Sequence, residues 1–253
     1  MGLFDLSGQV AVITGGSRGI GLAIAEGLAS AGAAVIIGNR NAEQGEQAAD
    51  TLRRKKLKAH AVPVDVSARE SVRKMVSAVL DKFQKVDILV NSAAIILRKP
   101  IAEITDEEWD SLVDTNLKGT FICCQEVGRQ MIERRQGKII NISSNIIQPL
   151  QPGRGVYAIT KAGLTQLTRV LAFEWAQYHI QVNAIAPGPT ITDLNRKFFE
   201  EHPEDLKARV QSLPIGRMGQ PRDHVGAALL LASSASDFIT GQTIFVDGGS
   251  NLI

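Results

Sequence analysis

The chain has 253 residues, 44% of them hydrophobic and 21% charged, and a formal net charge of only +2. That length and balance suit one large α/β domain with a substantial core. They exclude nucleic acid as the main partner, because such binding neutralises many phosphates, and the basic residues are scattered rather than gathered into a tail.

Residues 1–8 lack a basic segment followed by an apolar run, so no secretory signal is expected. Leu6 breaks the myristoylation pattern. No apolar run is long enough for a bilayer, and a soluble, cytoplasmic protein without a membrane partner is expected. Apolar, β-branched runs predict strands over 10–14, 34–38, 59–64, 88–91, 138–142, 181–186 and 243–246. Helix-period stretches lie between them, over 18–31, 42–55, 68–83, 107–135, 157–178 and 222–233. This alternation predicts an α/β Rossmann fold: a doubly wound, seven-stranded parallel sheet with helices on both faces. Several strands are apolar throughout, which fits burial on both faces. No linker is visible, so residues 1–253 are expected to form a single domain.

Residues 187–221 interrupt the pattern with Pro187, Pro189, Pro203, Pro214 and Pro221, around a short helical stretch over 194–212. The segment is either a lid over a ligand, at about 189–215, or a packed surface excursion. The two cysteines, Cys123 and Cys124, are adjacent and cannot pair well within a helix. Core packing is expected of them rather than a nucleophilic role, as in a reducing compartment. No metal site is expected.

The first strand runs into Thr14-Gly15-Gly16-Ser17-Arg18-Gly19-Ile20-Gly21, and a helix follows. Glycine permits a tight turn and close backbone approach. The helix N-terminus then offers free N–H groups to a phosphate. After a strand and before a helix, such a run reads as a dinucleotide cradle rather than a plain turn. The second strand ends in Gly38-Asn39-Arg40-Asn41 without an acid. An acid there would bind the ribose hydroxyl of NAD, whereas arginine suits the 2′-phosphate of NADP. Arg18 and Arg40 therefore point to NADP(H), with NAD(H) as the lesser choice. Asp65, followed by Val66, is placed either to accept from an adenine amino group or to cap the helix beginning near Ser67. Asn91 is a candidate backbone brace.

Tyr157 and Lys161 lie four residues apart at the start of a helical pattern, hence on one face. A phenol ordinarily titrates near ~10. A nearby ammonium favours the phenolate, so Tyr157 is a candidate general acid and base. The preceding strand ends in Ser143-Ser144, where a hydroxyl can orient a substrate oxygen. Asn116 stands within a helical stretch, where it is otherwise a solvated mid-helix amide.

Together these residues resemble the short-chain dehydrogenase/reductase family over essentially the whole chain. The matching pieces are Thr14-Gly15 with Gly19 and Gly21, Asp65, Asn91, Asn116, Ser144, Tyr157 with Lys161, and Pro187-Gly188 with Thr192. The closing Val246-Asp247-Gly248-Gly249 is also typical. The resemblance implies a catalytic tetrad. Ser144, rather than Ser143, would hold the substrate carbonyl, and Tyr157 would transfer the proton. Lys161 would lower the tyrosine pKa and bind the nicotinamide ribose, and Asn116 would hold a proton-relaying water. It also implies cofactor contacts from Gly15, Ser17, Arg18, Gly19, Ile20, Gly21, Asn39, Arg40, Asp65, Val66, Asn91 and Ala93. Pro187, Gly188, Thr190 and Thr192 would brace the nicotinamide end. The family often has glycine where this chain has Ala94, which puts the shape of that loop in question.

Within the family the chain is most similar to sugar-acid dehydrogenases of the gluconate 5-dehydrogenase and 2-deoxy-gluconate 3-dehydrogenase type. The similarity rests on Leu97-Arg98-Lys99-Pro100, Glu174-Trp175-Ala176, the run Asn183-Ala184-Ile185-Ala186-Pro187-Gly188, and Ala235-Ser236-Asp237-Phe238. The small-molecule substrate is then a ketone/alcohol pair, with Arg98 and Arg154 either binding its carboxylate or standing as surface arginines. A 3-oxoacyl-carrier-protein reductase is the nearest rival enzyme, and a non-catalytic dinucleotide sensor or scaffold the rival of another class. The family pairs its long helices between subunits, which implies a homotetramer.

Overall fold

The computed structural model describes residues 2–193 and 195–252; Met1, Leu194 and Ile253 lie outside the described residues. Every predicted strand forms: β1 (Val10–Thr14), β2 (Ala34–Asn39), β3 (Ala59–Pro63), β4 (Ile88–Asn91), β5 (Gly137–Ile142), β6 (Ile180–Pro187) and β7 (Thr243–Val246). They make one sheet in the order β3-β2-β1-β4-β5-β6-β7, with all neighbours parallel. The helices are α1 (Gly19–Ser30), α2 (Ala42–Arg54), α3 (Arg69–Phe83), α4 (Asp106–Val113), α5 (Gly119–Arg134), α6 (Gly155–Trp175), α7 (Arg196–Glu201), α8 (Pro203–Gln211) and α9 (Val225–Ala232).

Strand side chains alternate between two helical layers, as a two-residue period requires. Ala11 and Ile13 of β1 join the layer containing Ile24 of α1, Leu52 of α2 and Leu231 of α9. Val10 and Val12 join Met75 of α3, Val127 of α5 and Leu171 of α6. Each large apolar side chain buried this way contributes about 1.5–3 kcal/mol over leaving it exposed. At the amino end of the sheet the buried Asp87 accepts from the Val10 N–H at 2.9 Å and from Arg134 at 2.8 Å, fixing β1 beside β4.

Four expected helical stretches are divided. The stretch 107–135 is α4, a π-helical turn at Asp114–Lys118, and α5. Apolar periodicity runs through a π turn almost unchanged, so the pattern hides it. Such turns inside α-helices often mark functional positions. The 194–212 pattern is two helices, because Pro203 lacks an N–H and starts α8 afresh. Its first residue, Leu194, lies outside the described residues. The 222–233 stretch opens as a 3-10 turn, Pro221–His224, before α9, and 157–178 closes with another, Ala176–Tyr178, after α6. Among the described residues no helix is long and apolar enough to cross a membrane.

Cys123 and Cys124 both lie on α5 with no exposed surface, inside the α3–α5–α6 layer. Burial pushes both thiols up, that of Cys124 to about 12. They are packing residues. Iodoacetamide at mildly alkaline pH should therefore leave both unmodified in the folded protein and label both after denaturation, as read by intact-protein mass spectrometry.

Candidate active site

β1 is hydrogen-bonded to β2 on one side and to β4 on the other. The connections leaving their carboxyl ends diverge, and open α/β sheets hold ligands in the crevice this creates. Here it is a cleft of about 620 Å³.

The glycine turn forms one end. Gly15 has a φ of +67°, and a Cβ there would come within 2.7 Å of Ala93 in the β4 loop. Only glycine satisfies both demands. α1 begins at Gly19, and Arg18 at its N-cap makes no side-chain capping bond. The unpaired N–H groups of the first turn, with the positive end of the helix dipole, thus border the cleft beside Ser17, Ile20 and Gly21. Arg18 and Arg40 are exposed on the wall here, beside Asn39 and Val66. The Asn39 amide folds back onto the Asn41 carbonyl at 2.9 Å. Asp65 Oδ1 accepts from the Ser67 N–H at 3.0 Å and from its hydroxyl at 2.6 Å. Helix α3 starts only at Arg69, behind Ala68, so Asp65 braces the preceding turn and does not cap the helix. Ala94 has no positive φ, so alanine is accommodated where the family often has glycine.

Ser144, Tyr157 and Lys161 meet at the other end. The neighbouring serines part ways. Ser143 bonds Thr165 at 2.9 Å and the Lys161 carbonyl at 3.2 Å, while the Ser144 hydroxyl adjoins the Tyr157 phenol. Burial pushes the Tyr157 phenol up, and Ser144 and Arg154 pull it partly back. The sequence reading gave that pull to Lys161. Instead the Lys161 amine lies 5.7 Å from the Tyr157 ring centre, donates to the Ile142 carbonyl at 2.7 Å, and is itself pushed down to about 8 by burial.

Pro187, Gly188, Thr190 and Thr192 line the cleft as expected, as do Arg98 and Arg154. Asn116 and Asn91 do not. Asn116 is fully buried rather than solvated; its amide accepts from the Ile95 N–H at 2.8 Å and donates to the Ile95 carbonyl at 2.9 Å. It holds the wall from beneath. Asn91 donates to Asn141 at 2.9 Å and to the Cys124 sulfur at 3.2 Å, one layer behind the site. Sequence reasoning missed Phe198 and Arg209, which reach the cleft from α7 and α8. Their only advance signal was a helical pattern in a proline-rich segment.

The fold and cleft define a dinucleotide-binding α/β protein with a Ser–Tyr–Lys group beside the nucleotide site. Comparison with known proteins narrows this class: the chain belongs to the short-chain dehydrogenase/reductase family of oxidoreductases, and the family pattern described as enoyl-(acyl carrier protein) reductase matches residues 15–251. It is similar to a gluconate 5-dehydrogenase of Gluconobacter oxydans, 40% identical over 98% of this chain and 96% of that protein. A 3-oxoacyl-[acyl-carrier-protein] reductase of Aquifex aeolicus is 38% identical over 96% of this chain and 98% of its own. The crystal structure of a gluconate 5-dehydrogenase from Burkholderia cenocepacia, in complex with NADP and tartrate, superposes with a TM-score of 0.94 at 41% identity, covering 99% of this chain and 98% of that one.

His224 anchors the far wall. It is 1% exposed, and one ring nitrogen meets the Thr190 hydroxyl at 3.0 Å. That hydroxyl also donates to the Gly188 carbonyl at 2.9 Å, so His224 Nε2 must donate to Thr190. Nδ1 is buried without a partner. Burial pushes the imidazole down from 6.5 to about 4. Its neutral form thus stabilises the fold fully above pH 6.5, and that contribution is lost as pH falls toward 4. The loss should reach about 3 kcal/mol. Melting temperatures measured across this window should fall less steeply for His224→Gln than for the wild type.

Proposed function

We propose that the chain is an NADP(H)-preferring dehydrogenase that interconverts the ketone and secondary alcohol of a sugar acid. The reading is carried by one observation: Ser144, Tyr157 and Lys161 stand in the same cleft as the glycine turn. The turn fits a dinucleotide: Gly15 closes against Ala93 without a side chain, and Gly15, Gly19 and Gly21 present backbone to the cleft. The uncapped start of α1 suits the pyrophosphate. Arg18 and Arg40 suit a 2′-phosphate dianion, which forked guanidinium groups grip well.

Bound nicotinamide supplies the hydride for reduction and accepts it in oxidation. Tyr157 donates its phenolic proton to the substrate oxygen as the ketone is reduced and takes it back in the reverse direction. Ser144 donates a hydrogen bond to the same oxygen. Lys161, fixed by the Ile142 carbonyl, would hold the nicotinamide ribose. Asn116 keeps the Ile95 wall and its own π turn in place, where a proton-relaying water would rest. The 187–192 wall would brace the nicotinamide end, and the α7–α8 segment, within 189–215, would act as a lid. Arg98 and Arg154 support an acidic substrate. We also assign the chain to the cytoplasm and to a homotetramer. Phe121 on α5 and Phe173 on α6 are 40% and 88% exposed, and exposed apolar patches of this kind commonly mark interfaces.

Tyr157→Phe keeps the ring and removes the proton. Its kcat should fall by at least about 100-fold. NADPH binding, followed by fluorescence titration, should persist; turnover near the wild-type rate would sink the acid–base assignment. In an Arg18→Ala, Arg40→Ala double variant, the kcat/KM preference for NADPH over NADH should drop about 10- to 100-fold, the scale of a lost charge-assisted contact. Steady-state kinetics with both cofactors checks this, and an unchanged preference would reassign the 2′-phosphate site.

A further inference from the structure

Three arginines converge on the proton-transfer end of the cleft: Arg98 from the loop after β4, Arg154 from the N-cap of α6, and Arg209 from the last turn of α8. Among the described residues none of the three forms an ion pair or a side-chain hydrogen bond. The carboxylates on the cleft wall are Asp65, beside Arg40 at the opposite end, and Asp193, exposed and unpaired with them. Burial, then the charges of Arg98 and Arg209, make Arg154 easier to deprotonate than an ordinary arginine. Like charges gathered at a partly dry wall are unfavourable unless an anion joins them.

The arginines also divide by neighbour. Arg154 acts on Tyr157, each favouring the charged form of the other. Arg98 and Arg209 have no such partner. Both are tied to the segment over the cleft: the Arg98 guanidinium lies 5.9 Å from the ring centre of Phe198 on α7, and Arg209 itself belongs to α8, where it is half-buried.

We propose that Arg209 is a specificity-determining residue: with Arg98 it forms a clamp on the carboxylate of the substrate. This rests on the carbonyl-reductase reading above and names how its acidic substrate is chosen. A carboxylate has lone pairs for two guanidinium forks and for little else. One arm of the clamp is on the β4 loop and the other on α8, so the acid itself draws the α7–α8 segment onto the site. Arg154 stays with the phenol. A neutral ketose leaves the clamp charges uncompensated and is rejected by the groups that hold the acid.

The test compares kcat/KM with NADPH for 5-keto-D-gluconate and for D-fructose, a neutral ketohexose, in wild type, Arg209→Ala and Arg209→Lys. The acid-to-neutral ratio should fall about 10- to 100-fold in Arg209→Ala, mainly through KM for the acid. Arg209→Lys should recover part of it, because charge is kept and the fork is lost. Melting temperature and the NADPH dissociation constant report whether each variant is folded. A wild type that prefers the acid, with a ratio unchanged within threefold in a folded Arg209→Ala, overturns the clamp and leaves the proposed function standing. Should Arg209→Ala not fold, Arg209→Lys and Arg209→Gln carry the same comparison. A wild type with no preference for the acid overturns the clamp and the sugar-acid reading together, and Tyr157→Phe then tells whether the oxidoreductase chemistry survives.

Discussion

Gly15 lies against Ala93 at a distance no side chain tolerates, and the site is built around that contact. It joins the turn leaving β1 to the turn leaving β4, on the two strands whose connections run in opposite directions along the sheet. Strand pairing fixes both turns to a rigid frame. The start of α1 is thereby aimed into the crevice, while β5 and β6, farther along the same sheet, deliver Ser144 and the 187–192 wall to the same edge. A bulkier residue at position 15 would part the two turns and disperse the nucleotide end of the cleft.

The chemical end is a balance between burial and charge. Burial lifts the phenol of Tyr157 and lowers the amine of Lys161, so each group resists its charged form. The opposing forces on the phenol are the Ser144 hydroxyl and Arg154. Arg154, which favours the ionised phenol, shares the cleft wall with Arg98 and Arg209. Position matters more here than acidity in isolation, because the same side chains in water would act weakly.

Much of this was legible in the residues. Apolar runs mark all seven strands to within one residue at their ends, since the five inner strands are largely buried and the half-buried edge strands β3 and β7 still carry short apolar runs. The glycine turn, Ser144, Tyr157 and Lys161 were legible because local spacing carries their meaning. The π turn was not, because apolar periodicity survives it. Nor was the engagement of Asn116, whose partner Ile95 is remote in sequence. The bond from the Lys161 amine to the Ile142 carbonyl also escaped, because helical spacing shows that two side chains share a face but not where a flexible amine finds its acceptor.

By itself the sequence determined the sheet and its helical layers, and it marked the candidate nucleotide cradle and acid–base residues, through short-range pattern and side-chain chemistry. Only the tertiary structure decided which asparagines lie behind the cleft, and that Arg209 lines it with Arg98 and Arg154. The reason is physical. Those outcomes depend on contacts between segments far apart in the chain, and their strength is set by burial, which comes into being only when the layers close.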